Sequence, residues 1–100
     1  MDLSALTIQQ LRYIVAIDRH RSFRDAARGC HVSQPALSAQ VKKVEKMLGF
    51  HVFDRSRQPV FTTERGALAV AHARTVLDQI EHFAEIADGR EEVAGPYRLG

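Results

Sequence analysis

Two helices that must meet across a very short corner constrain this chain more than any other feature. Ser22 is a hydroxyl N-cap, and Asp25 follows in the first turn, where a carboxylate meets the positive end of a helix dipole. Phe23, Ala26, Ala27 and Cys30 give a narrow apolar stripe, which predicts a short helix from Phe23 to Gly29. Only Cys30-His31-Val32 intervenes before Ser33 caps the next helix, with Pro35 in its first turn, where a missing N–H costs little, and Gly49 as its stop. Ala26 and Ala27 permit close backbone approach, and Val32 plugs the corner. The arrangement is a helix-turn-helix.

The third helix then has two readable faces. Leu37, Val41, Val44 and Leu48 recur at spacings of 4, 3 and 4 and form the stripe to be buried. That orientation turns Pro35, Ala39, Lys42, Lys43 and Lys46 outward, with Ala36 and Ser38 on the flanks. Small residues at the leading end let a helix sink into a groove about 12 Å wide, and lysines further along can reach phosphates. Gln34 carries an amide able to pair with adenine N6 and N7, and Ser38 a hydroxyl able to donate or accept. The base-facing set is therefore Gln34, Pro35, Ala36, Ser38 and Ala39, with Ser33, Lys42, Lys43 and Lys46 on the backbone side. Taken singly, each has a plainer role: a local cap, a surface amide, a solvated lysine. The ensemble points to nucleic acid.

Around this pair, Thr7 and Gln10 form a capping-box pattern ahead of Leu11, Ile14, Val15 and Ile17, which predicts a first helix from about Ile8 to Arg19. After Gly49, Val52-Phe53-Asp54-Arg55 and Val60-Phe61-Thr62 read as two short strands, with Pro59 confining the second to an edge. Arg55 and Arg57 fall at the turn between them, where two guanidinium groups can enter a minor groove or clamp phosphates. The plainer reading is a solubilising turn. Thr63-Glu64 opens a fourth helix with no breaker after Gly66 until Asp88-Gly89. Its stripe of Ala69, Ala73, Val76, Ile80, Phe83 and Ala87, widened by Val70, Leu77 and Ala84, is too long for the small preceding domain to cover. A second copy of the arm is the expected cover, antiparallel or crossed; a domain outside this chain is the alternative.

Composition narrows the function classes. One hundred residues, 45% of them hydrophobic, suit one compact domain or one small domain with a long arm. Residues 1–62 carry ten Lys/Arg against five Asp/Glu, net +5, whereas residues 63–100 carry four against seven, net −3. A basic front half fits contact with a polyanion. No apolar run approaches a membrane span and the N-terminus has no secretory pattern, so the expectation is a cytoplasmic protein. Cys30 is the only cysteine, which leaves no intrachain disulfide. Catalysis finds no support: His72 and His82 lie about 280° apart around a helix axis, Cys30-His31 lacks spaced zinc partners, and no phosphate-binding or nucleophile motif occurs. No metal and no cofactor are expected in this chain.

The string Phe23-Arg24-Asp25-Ala26-Ala27, then His31 to Glu45 with Val32-Ser33-Gln34-Pro35 and Leu37-Ser38, then Leu48-Gly49 and Val52-Phe53-Asp54-Arg55, resembles the N-terminal winged helix-turn-helix domain of LysR-type transcriptional regulators. Cys30 to Pro35, with Ala73-Arg74-Thr75-Val76-Leu77 downstream, is similar to the peroxide-sensing OxyR branch. Thr62 and Pro59 depart from the commoner family pattern in the wing. The resemblance implies a mainly α fold, three helices and a two-stranded wing followed by a long dimerisation helix. It implies a division into residues 1–62, which bind DNA, residues 63–88, the linker helix, and residues 89–100, a hinge leading into a C-terminal effector-binding domain. It also implies sequence-specific binding to double-stranded DNA at a pseudo-palindromic operator, and a homodimer, with a tetramer open to the intact protein. The competing class is a helical interaction module without DNA readout.

Overall fold

The computed structural model describes residues 1–89, so the hinge expected over 89–100 lies, apart from Gly89, outside the described residues. Four helices and one hairpin follow in chain order: α1 (Ile8–His20), α2 (Phe23–Gly29), α3 (Gln34–Leu48), β1 (Phe53–Asp54), β2 (Phe61–Thr62) and α4 (Glu64–Ala87). The mainly α, winged helix-turn-helix fold expected from the sequence is the fold observed. None of the described helices is long and apolar enough to cross a membrane.

Each helix begins where a side chain satisfies its free amides. Thr7 Oγ1 accepts the Gln10 N–H at 3.1 Å, and the Gln10 carboxamide accepts the Thr7 N–H at 2.9 Å, a reciprocal cap. Ser22, Ser33 and Thr63 accept from Asp25, Ala36 and Gly66 in the same way. Gly49 ends α3 at φ 80, a left-handed position natural to glycine. The α2–α3 corner closes with the Cys30 N–H on the Ala26 carbonyl at 2.9 Å and the Val32 N–H on the Ala27 carbonyl at 3.0 Å. It also needs His31 at φ 59, a left-handed conformation at a non-glycine residue.

Ile14, Ile17, Leu37, Val41, Val44 and Val52 are fully buried and form the centre of the core. Ala26 and Ala27 are buried too, which lets α2 close on its neighbours through small side chains. Leu48, expected in the buried stripe, is only partly covered and packs at its margin. Gln10, also buried, donates to the Gln40 side chain at 3.0 Å and so ties α1 to α3.

A residue the helical pattern did not single out joins α3 to the wing. Glu45 is buried, and its Oε2 accepts the N–H groups of Val52 at 2.8 Å and Phe53 at 3.3 Å. The strands pair antiparallel, Phe53 with Thr62 and Asp54 with Phe61. The Val60 N–H donates to the Arg21 carbonyl at 3.0 Å, anchoring the return strand to the end of α1. The α4 helix starts hard against this wing: the Thr63 N–H meets the Val52 carbonyl at 2.9 Å, and a Cβ at Gly66 would overlap that same carbonyl oxygen. Asp18 completes the join, accepting from the Thr62 hydroxyl and from Arg74 Nη2, both at 2.8 Å. Thr62, atypical in sequence, thereby has a partner of its own.

The first half of α4 packs on α1, burying Val70 and Ala73. Ala73 was expected in a seam between two copies; it is 2% exposed and covered by its own domain, because the arm leans on α1 for its first turns. Ala69, Val76 and Ile80 are half-buried, while Phe83 is 73% exposed and Ala87 is exposed. At about 1.5 Å per residue, the 24 residues of α4 span about 36 Å, and the far end extends beyond the domain.

Glu45→Ala would leave two buried backbone donors unsatisfied, and at about 1 to 3 kcal/mol for each we expect a loss of roughly 2 to 6 kcal/mol in unfolding free energy. Urea denaturation followed by circular dichroism measures it, and Glu45→Gln, which keeps one acceptor oxygen, should lose less. Equal stability of Glu45→Ala and the parent chain would remove this role.

Candidate nucleic-acid interface

With its inner stripe sealed in the core, α3 turns its other face to solvent. Gln34, Pro35, Ala36 and Ala39 are exposed at the leading end, and Lys42, Lys43 and Lys46 are exposed further along. The face has the order anticipated from sequence, a slender edge followed by cations. Ser33 is exposed, but its hydroxyl oxygen accepts the Ala36 N–H at 3.2 Å and so serves the helix first. Ser38 is half-buried and faces the wing.

The two wing arginines, expected together at a tip, part company. Arg57 stays exposed, 3.6 Å from Asp54 Oδ2, with its guanidinium 4.9 Å from the Phe61 ring centroid. Arg55 folds back beneath α3. Its Nη1 donates to Ser38 Oγ at 2.6 Å, its guanidinium lies 4.4 Å from the Phe23 ring centroid, and its Nη2 is 3.6 Å from Glu45 Oε1. The cause is local: a buried carboxylate and an aromatic face together hold a guanidinium better than solvent at a turn does. At the tip, the Ser56 hydroxyl and then its N–H hold the Asp54 carboxyl below its ordinary range, so this acid stays charged beside Arg57.

Between the start of α3 and the wing lies a cleft of about 520 Å³, lined by Ser22, Phe23, Arg24, Gln34, Ser38, Arg55, Gln58 and Val60. Arg24 and Gln58 were not among the expected contact residues. Arg24 follows the α2 cap, and that placement next to the α3 leading end was the available signal. Gln58 offered none, since its position depends on how the wing folds. A second surface runs along the arm, an apolar groove of about 240 Å³ in which Leu3, Leu6 and Leu48 face Ala69, His72 and Val76. Among the described residues, no group of three or more His, Cys, Asp or Glu could hold a metal ion. Cys30 is half-buried at the C-terminal end of α2 and packs against the core.

Known proteins match this arrangement closely. The family described as "Bacterial regulatory helix-turn-helix protein, lysR family" matches residues 8–67. The chain is 43% identical over 96 residues to the "Hydrogen peroxide-inducible genes activator" of Pectobacterium carotovorum subsp. carotovorum, covering 95% of this chain. It is equally similar to the "DNA-binding transcriptional dual regulator OxyR" of Escherichia coli K12. The chain spans 32% of the length of these relatives. Among solved structures, a full-length OxyR variant from Pseudomonas aeruginosa superposes with a TM-score of 0.81 at 42% identity, over 87% of this chain and 30% of that one. The BenM DNA-binding domain, solved in complex with benA site 1 DNA, gives 0.80 at 30% identity, over 83% of this chain and 93% of that one. The fold, the corner sequence and the family match agree: the chain belongs to the lysR family of bacterial regulatory helix-turn-helix proteins.

Proposed function

We propose that the chain is the DNA-reading part of a LysR-type transcriptional regulator of the OxyR-like branch, binding double-stranded DNA in a sequence-specific way. The single observation that carries this reading is the outer face of α3, where small exposed residues lead and three exposed lysines follow. A helix with that edge enters the major groove until its lysines meet phosphates. Gln34, Pro35, Ala36, Ser38 and Ala39 then face base edges, and Ser33, Lys42, Lys43 and Lys46 face the sugar-phosphate strands. Arg57, exposed on the wing, reaches the neighbouring backbone or minor groove. The BenM neighbour was itself solved on DNA, which supports the same use of the same fold here.

Residues 1–62 are the binding unit and residues 63–88 the linker in this reading. The arm pairs with a second copy through Ala69, Val76, Ile80, Phe83 and Ala87, covering the exposed Phe83 and the apolar groove beside α1. A two-fold pair reads a pseudo-palindrome with half-sites separated by whole helical turns. Binding and positioning, not catalysis, are the activity, which needs no cofactor at this surface and belongs in the cytoplasm with the DNA.

Three outcomes test this. Gln34→Ala should relax preference at one base pair, at a cost of about 1 to 3 kcal/mol, and equal losses on selected and random duplexes would refute base readout. Lys42→Ala should weaken binding uniformly and make the log–log salt slope shallower by about 0.9, as expected for one lost phosphate contact. A salt-insensitive interaction would favour the competing class, an apolar protein-interaction module. In sedimentation, the parent chain should run as a dimer at micromolar concentrations and Phe83→Glu as a monomer, because the substitution places a charge in the seam.

A further inference from the structure

Arg55 touches α3 at a side chain that faces the proposed base edges, and we propose that it acts there as a positioning residue: it sets the hydrogen-bonding polarity of Ser38, and through Ser38 the base that α3 accepts. This inference rests on the DNA-binding reading above. Arginine has donors only, so at 2.6 Å the Ser38 oxygen must be the acceptor. Phe23 on one side and Glu45 on the other hold the guanidinium in place, and its Nη2 is buried without a hydrogen-bond partner of its own. The cation is therefore a fixed feature of the surface beneath Ser38.

A serine hydroxyl is ordinarily ambivalent, with one proton to give and two lone pairs to receive. Here one lone pair is taken by a cation, and among the described residues the hydroxyl proton has no acceptor. The positive charge disfavours an O–H dipole aimed at it, which leaves the proton to be offered to a group entering the cleft that Ser38 and Arg55 line together with Gln34. A base acceptor arriving there meets a polarised donor. An incoming amino group instead meets an oxygen that already accepts from a cation.

The major-groove edges translate this into a preference. Guanine offers N7 and O6 and thymine offers O4, whereas cytosine presents only its N4 amino donor. Ser38 backed by Arg55 therefore favours an acceptor-bearing base and disfavours cytosine at one position. Without Arg55 the hydroxyl regains its freedom to accept, and the bias fades.

Selection of the full chain on a library of randomised duplexes reads this directly. The parent should disfavour cytosine at one column by about five-fold or more, the lower end of what a specific base contact provides. Arg55→Met should flatten that column alone, Ser38→Ala should flatten it too, and the double variant should be no flatter than either, since both act through one hydroxyl. Ser38 is half-buried at the edge of the cleft and outside the hydrophobic core, so Ser38→Ala keeps the core intact; if it retains the cytosine bias the proposal falls, however Arg55→Met behaves. An Arg55→Met chain that binds every sequence more weakly while the column keeps its bias would make Arg55 an ordinary backbone contact and overturn the inference alone. A parent chain that selects no sequence would overturn the DNA-binding reading as well.

Discussion

A carboxylate buried at the rear of α3 holds the molecule's parts in register. Glu45 accepts two backbone amides at the start of β1 and faces the guanidinium of Arg55. A two-stranded hairpin with two residues in each strand cannot sustain itself in water. Its conformation is borrowed from α3 through Glu45 and from α1 through the bond between Val60 and Arg21. The cleft shares that anchoring, because Gln34 and Ser38 are placed by the same helix and Arg55, Gln58 and Val60 by the same wing.

The proposed interface combines two unlike requirements. Its leading edge must be thin, which Pro35, Ala36 and Ala39 provide by having little side chain to obstruct approach. Its flanks must be cationic, which Lys42, Lys43 and Lys46 provide with long stems that carry charge outward. The acidic balance of residues 63–100 keeps this positive charge from extending along the arm. In the proposed reading, association through one end and attraction to a polyanion at the other are thus separated along the chain.

Local chemistry was legible in the sequence. Thr7, Ser22, Ser33 and Thr63 mark four helix starts because a cap is decided within a few residues, and Gly49 marks a stop for the same reason. The Leu37, Val41 and Val44 stripe fixed which face of α3 is buried and hence which is free. The corner could be placed but not its backbone, since His31 adopts a left-handed conformation that no local signal required. Contacts between distant segments stayed hidden. Whether Arg55 points to solvent or to Ser38 depends on Glu45 and Phe23 converging from separate helices. Ala73 looked like part of an external seam because a helical repeat records which residues are apolar, not which neighbour covers them. Thr62 looked like a departure until Asp18, on α1, supplied its partner.

Asp18 has a wider consequence. One carboxylate takes a hydrogen bond from the second wing strand and another from the long helix, so the direction in which the arm leaves the domain is tied to the position of the wing. Two chains joined along their arms would carry that angle twice, and the gap between their reading heads would be a property of the folded protomer. The pair would act as a fixed caliper, its jaw width written into three side chains on α1, β2 and α4.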